Sequence, residues 1–121
     1  MKDTLFDLSG RVALVTGGSK GLGKAMARIF AEAGADVVIS SRHEDELRSA
    51  LGEIMAGTGA RGKYIVADMT NRADVDRLTK ESLATMGRVD IVVNNAGSNQ
   101  PQELDQTTDE SWDRIVELNL T

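Results

Sequence analysis

The chain has 121 residues, 40% of them hydrophobic, which suffices for one buried core and leaves too little length for a second full domain. Its charges are interspersed, and 19 acidic against 14 basic side chains give a net charge of −5, which argues against disorder and against nucleic acid as a partner. With no cysteine and a single histidine, His43, it offers no disulfide framework, thiolate metal site, histidine metal cluster or cysteine nucleophile.

Short β-branched apolar runs alternate with longer stretches whose apolar residues recur three or four positions apart. This is the βαβα pattern of a parallel sheet covered by helices. The runs Val12–Val15, Val37–Ile39, Tyr64–Ala67 and Ile91–Val93 are predicted strands buried on both faces. Between the first two, Leu22, Met26, Ile29, Phe30 and Ala33 form one apolar stripe, closed by Gly34. A second stripe, Leu47, Leu51, Ile54 and Met55, stops at Gly57-Thr58-Gly59, and a third, Val75, Leu78, Leu83 and Met86, stops at Gly87. Ser98 to Gln106 reads as a polar loop. Thr107 and Glu110 have the form of a capping box, from which Trp112, Ile115, Val116 and Leu118 continue as a helix to Thr121.

The first strand runs through Thr16-Gly17-Gly18-Ser19-Lys20-Gly21-Leu22-Gly23 directly into the first helix. Glycines there let backbone N–H groups approach a phosphate without Cβ interference and aim the positive end of a helix at it. An ordinary tight turn needs one glycine, so four point to a nucleotide. Gly18-x-x-x-x-Gly23-Lys24 also matches the start of a phosphoryl-transfer P-loop, with Asp68 as its metal-side carboxylate, but Ala25 stands where a Mg²⁺-ligating hydroxyl is required. Lys24 then reads as a solvated surface lysine.

The glycine spacing Thr16-Gly17-x-x-x-Gly21-x-Gly23 resembles the cofactor motif of the classical short-chain dehydrogenases/reductases. Asp68 after the third strand, Asn94-Asn95-Ala96-Gly97 after the fourth, and Asn119 in Leu118-Asn119-Leu120-Thr121 match further motifs of that family, in order along nearly the whole chain. The resemblance implies a Rossmann-like, doubly wound α/β fold, of which this is the N-terminal half (β-α-β-α-β-α-β-α) with strand order 3-2-1-4. It also implies that Gly17, Gly21, Leu22 and Gly23 line a pyrophosphate turn with Ser19 and Lys20, that Asp68 and Met69 flank an adenine, and that Asn95, Ala96 and Gly97 border the adenosine ribose. Read from the residues alone, Asp68 caps the next segment, and Asn94-Asn95 serves equally well as a brace between strands.

In a dinucleotide fold the end of the second strand faces the adenosine ribose, where a carboxylate suits a 2′-hydroxyl and an arginine a 2′-phosphate. Here that strand ends Ser40-Ser41-Arg42, and Arg42 offers a permanent charge with a fork matched to phosphate. With Lys20 as a second cation, NADP is the expected coenzyme, ahead of NAD. The alternative for Arg42 is a pair with Glu44 or Asp45.

The resemblance implies hydride transfer between nicotinamide C4 and the carbon of a ketone or secondary alcohol, sugar acids and 3-oxoacyl carrier-protein thioesters being candidate substrates. The family's proton donor is a tyrosine whose lysine stands four residues on, aided by a serine and an asparagine. Of these only the asparagine, Asn119, has a counterpart; Asp68 follows Tyr64 at that spacing. The chain is therefore expected to be a cofactor-binding half, residues 1–121, without turnover of its own. Its fourth strand would carry an unpaired edge and its last helix, with Trp112, an uncovered face. A non-catalytic nucleotide-binding module is the alternative; a P-loop phosphotransferase ranks below it. No apolar run could span a bilayer and the start, Met1-Lys2-Asp3-Thr4, lacks a secretory core, so a cytoplasmic location is expected, with no membrane partner. The family's habit implies a homo-oligomer once the chain is complete.

Overall fold

A computed structural model describes residues 7–95 and 116–119. The polar loop 98–106, the capping box of Thr107 and Glu110, and Trp112 and Ile115 lie outside them. The elements are β1 (Val12–Thr16), α1 (Gly21–Glu32), β2 (Asp36–Ser41), α2 (Glu44–Met55), β3 (Gly62–Val66), α3 (Arg72–Met86), β4 (Ile91–Asn94) and β5 (Val116–Asn119). All strand pairs are parallel, in the order β3-β2-β1-β4-β5. The predicted order 3-2-1-4 and the doubly wound architecture are present, with one strand more.

Every residue of β1 is buried, and alternation divides its side chains between two layers. Val12 and Leu14 join Val38, Ile65, Val75, Leu78 and Val92 on the α3 face. Ala13 and Val15 join Ala27, Phe30, Val37, Ile39, Leu47, Ile54 and Val93 on the face covered by α1 and α2. Each fully buried Val, Leu or Ile contributes about 1.5–3 kcal/mol relative to exposure. Helix α1 ends as the glycine predicted: Gly34 takes φ 104°. Helix α3 ends on Gly87 at φ 84°, whose N–H donates to Leu83 O.

Three expectations are corrected. Residues 116–119, predicted to lie within a helix, form β5, which pairs Ile91 with Val116 and Asn94 with Asn119. Four residues are too few to separate the two periods, and the backbone edge of β4 offers Val-Glu-Leu-Asn a full ladder. That edge is consequently not left unpaired. The buried face of α1 consists of Gly23, Ala27, Phe30 and Ala31, whereas Leu22 and Ile29 are exposed; close packing of α1 on β1 favours small residues at the contact. Strand β3 is an edge rather than a doubly covered strand: Val66 is exposed, and half-buried Tyr64 donates its hydroxyl to Glu44 Oε2 at 3.0 Å.

Candidate functional site

Register aligns one lateral row across the sheet: Ile65, Ser40, Thr16, Asn94 and Asn119 are successive partners on neighbouring strands. Polar residues thus collect at the carboxyl ends of β2, β1, β4 and β5, and the strand order reverses between β1 and β4, where open α/β sheets bind ligands.

The turn after β1 is built by close approach. A Cβ on Gly23 would lie 2.3 Å from Gly17 O and 2.5 Å from Asn95 Nδ2, so only glycine fits there. Gly17 and Gly21 stand at φ 65° and 60°, in the left-handed region. The N–H groups of Gly17 and Gly18 donate to Ser40 O at 2.8 and 3.3 Å, tying the turn to β2. Lys20 precedes α1 without capping it through its side chain, and no acidic residue occupies the first turn. The N–H groups of Gly21, Leu22 and Gly23 therefore have no acceptor in their own helix. The other helices differ: α2 begins Glu44-Asp45-Glu46, and Asn71 Oδ1 accepts from Asp74 N at the start of α3.

Asn95 braces the turn. Its N–H donates to Thr16 Oγ1 at 2.9 Å and its Nδ2 to Gly17 O at 3.4 Å. Asn94 is buried, its Oδ1 3.4 Å from the Thr16 hydroxyl. The scaffold role weighed for this pair is thus visible in the geometry.

Beside the turn lies a cavity of about 430 Å³, into which Gly17, Ser19, Lys20, Ser41, Arg42, Asp68 and Met69 all project a surface. His43, Glu46, Ala67 and Thr70 complete its wall, and the sequence pattern pointed to none of these as part of a site. Gly21, Leu22, Gly23 and Asn95 are not part of this wall. Asn119 lies two strands from β1, and Ala96 and Gly97 fall outside the described residues.

The wall's charges are set by local bonds. Asp68 Oδ1 accepts from Thr70 Oγ1 at 2.7 Å and Thr70 N at 2.9 Å; these hydrogen bonds, aided by the Arg42 charge and opposed by partial burial, hold its carboxyl below the usual range. Asp68 thus closes a turn on Thr70 while Asn71, not Asp68, caps α3, and the spacing of Thr70 from Asp68 is the signal that could have exposed the turn. Ser41 Oγ accepts from His43 N at 3.1 Å. Among the described residues no ion pair takes Arg42, and the alternative partners Glu44 and Asp45 both pair with Arg48. Lys24, read as solvated, instead pairs with Glu53 of α2.

The model of the short chain dehydrogenase family matches residues 11–121. A hydroxy-methyl-oxo-hexahydroindene-carboxyl-CoA reductase from Mycobacterium tuberculosis strain H37Rv is 41% identical over 94% of this chain and 44% of its own length. A metagenomic short-chain oxidoreductase solved in complex with NADP is 40% identical at TM-score 0.70, covering 75% of this chain and 40% of that one. A short-chain dehydrogenase/reductase from Burkholderia phymatum in complex with NAD is 32% identical at TM-score 0.71, covering 77% and 33%. The chain spans less than half the length of the relatives it matches. It belongs to the short-chain dehydrogenases/reductases.

Proposed function

We propose that this chain forms the coenzyme-binding part of an oxidoreductase that moves hydride between NADP and a ketone or secondary alcohol. The observation that carries the reading is the conjunction of an uncapped helix start, reached through a left-handed glycine turn, with a cavity in which Arg42 is unpaired among the described residues and no carboxylate ends β2. When bound, such a coenzyme supplies or accepts hydride at its nicotinamide C4. The chain's own residues bind and orient it. The first-turn N–H groups of α1 take the diphosphate. Arg42, Lys20, Ser19 and Ser41 form a donor set suited to a 2′-phosphate. Asp68, kept anionic by Thr70, with Met69 flanks the adenine. Asn95, with Ala96 and Gly97, borders the ribose while bracing Thr16. Asn119 is assigned to the proton relay at the far end of the same polar row.

Titration calorimetry with the two coenzymes tests this. NADP is expected to bind at least about tenfold tighter than NAD, and Arg42→Ala to weaken NADP about tenfold while moving NAD far less. Equal affinities in the wild type would overturn the coenzyme assignment, and failure of both coenzymes to bind would overturn the function.

A further inference from the structure

The cavity that holds Arg42 and Lys20 also holds a carboxylate placed against two of the groups a phosphate would need. Glu46, in the first turn of α2, sets Oε2 3.6 Å from the Lys20 ammonium and Oε1 3.5 Å from the Ser19 hydroxyl. Both oxygens are thus occupied with the glycine turn, and the same side chain lines the cavity beside Arg42. The Lys20 side chain is 75% exposed and that of Glu46 41%, so water can replace either partner and the pair opens readily.

We propose that Glu46 tunes the coenzyme preference of this site by standing on Lys20 and Ser19 in place of a ribose 2′-phosphate, so that a phosphorylated coenzyme must displace it. The inference rests on the coenzyme reading above. A phosphate monoester carries a charge of about −1.5 to −2 at neutral pH. Its approach sets it against the Glu46 carboxylate and at the same time takes away that carboxylate's cation. A coenzyme with a bare 2′-hydroxyl meets neither opposition. Neutralising Glu46 at constant shape therefore releases Lys20 to the ligand and favours NADP, whereas removing a residue that grips the ligand would weaken NADP.

The test titrates NADP and NAD separately into the full chain as wild type, Glu46→Gln, Lys20→Met and the double variant, with 2′,5′-ADP and 5′-AMP repeating the comparison without nicotinamide. Glu46→Gln is expected to raise the NADP-over-NAD affinity ratio about fivefold, the size of one exposed charge interaction. The gain should shrink between about 0.05 and about 0.5 M salt, as screening requires, and be smaller on the Lys20→Met background, where only the direct repulsion between Glu46 and the phosphate is left to relieve. A merely structural role for Glu46 would move the thermal midpoint or shift both coenzymes together. If the wild type binds NADP and Glu46→Gln leaves the ratio unchanged or lowers it, the role of Glu46 is overturned while the coenzyme reading stands. If the wild type binds neither coenzyme, both fall.

Discussion

At the residue scale, Asp90 is the most connected acid described. Its Oδ2 accepts from Val12 N at 2.8 Å, both oxygens accept from Arg88, and Arg11 stands 3.7 Å away. Partial burial pushes its carboxyl upward, but the bonds from Arg88 and Val12 and the charges of Arg88 and Arg11 outweigh that and hold it below its usual value of 3.8. A carboxyl whose folded value lies below its unfolded one contributes stability that is complete above the unfolded value and lost as pH falls through the folded one. Asp90→Asn should therefore lower stability by about 1–2 kcal/mol at pH 7, and urea denaturation at stepped pH should show the gap to wild type closing below about pH 4. A gap constant down to about pH 2 would mean that the charge is idle and that only geometry matters. Nothing in the sequence around Asp90 announces this role, because Val12 lies 78 positions away.

At the scale of elements, the segments whose own residues carry the message were legible. Consecutive apolar positions marked β1, β2 and β4, and glycines marked the ends of α1 and α3, since backbone conformation there depends on the local residue. What escaped was decided by neighbours: β5 by the edge of β4, the α1 face by the sheet beneath it, and the Glu46 contact by a residue 27 positions away. The end of α2 is of both kinds. Its stop was legible: the helix ends at Met55, Gly57 takes φ 76° and Thr58 N donates to Met55 O at 3.0 Å. The donors to other carbonyls there come from a neighbour, Arg28 of α1, which gives Nη1 to the carbonyls of Glu53, Ile54 and Ala56 at 3.2, 2.8 and 2.6 Å. Arg28→Ala removes the charged donor to three last-turn carbonyls and should cost about 1–2 kcal/mol, read as a lower urea midpoint at unchanged m-value. Faster amide exchange confined to the last turn of α2 would locate the loss. A change under about 0.3 kcal/mol would show that water caps this end as well as the guanidinium does.

For the whole molecule, one sheet separates two apolar layers and gathers polar groups along its carboxyl edge, so stability and ligand binding draw on different surfaces of the same strands. The candidate site stands on backbone placed by both layers: the turn hangs from β1, and Ser40 O, which receives two of its N–H groups, belongs to β2. This division has an energetic consequence. Ile54 on α2 is buried in one layer and Ile65 on β3 in the other, with no shared side-chain cluster through which a cavity in one could relax the other. Ile54→Val and Ile65→Val should each cost about 0.5–1.5 kcal/mol. The double variant should then equal their sum within about 0.5 kcal/mol, as sites without common partners do. A coupling above about 1 kcal/mol, measured by urea denaturation of all four proteins in one cycle, would mean that the sheet transmits packing strain between its faces. Coenzyme affinity would then have to be treated as dependent on core packing on both sides of the sheet rather than on the rim alone.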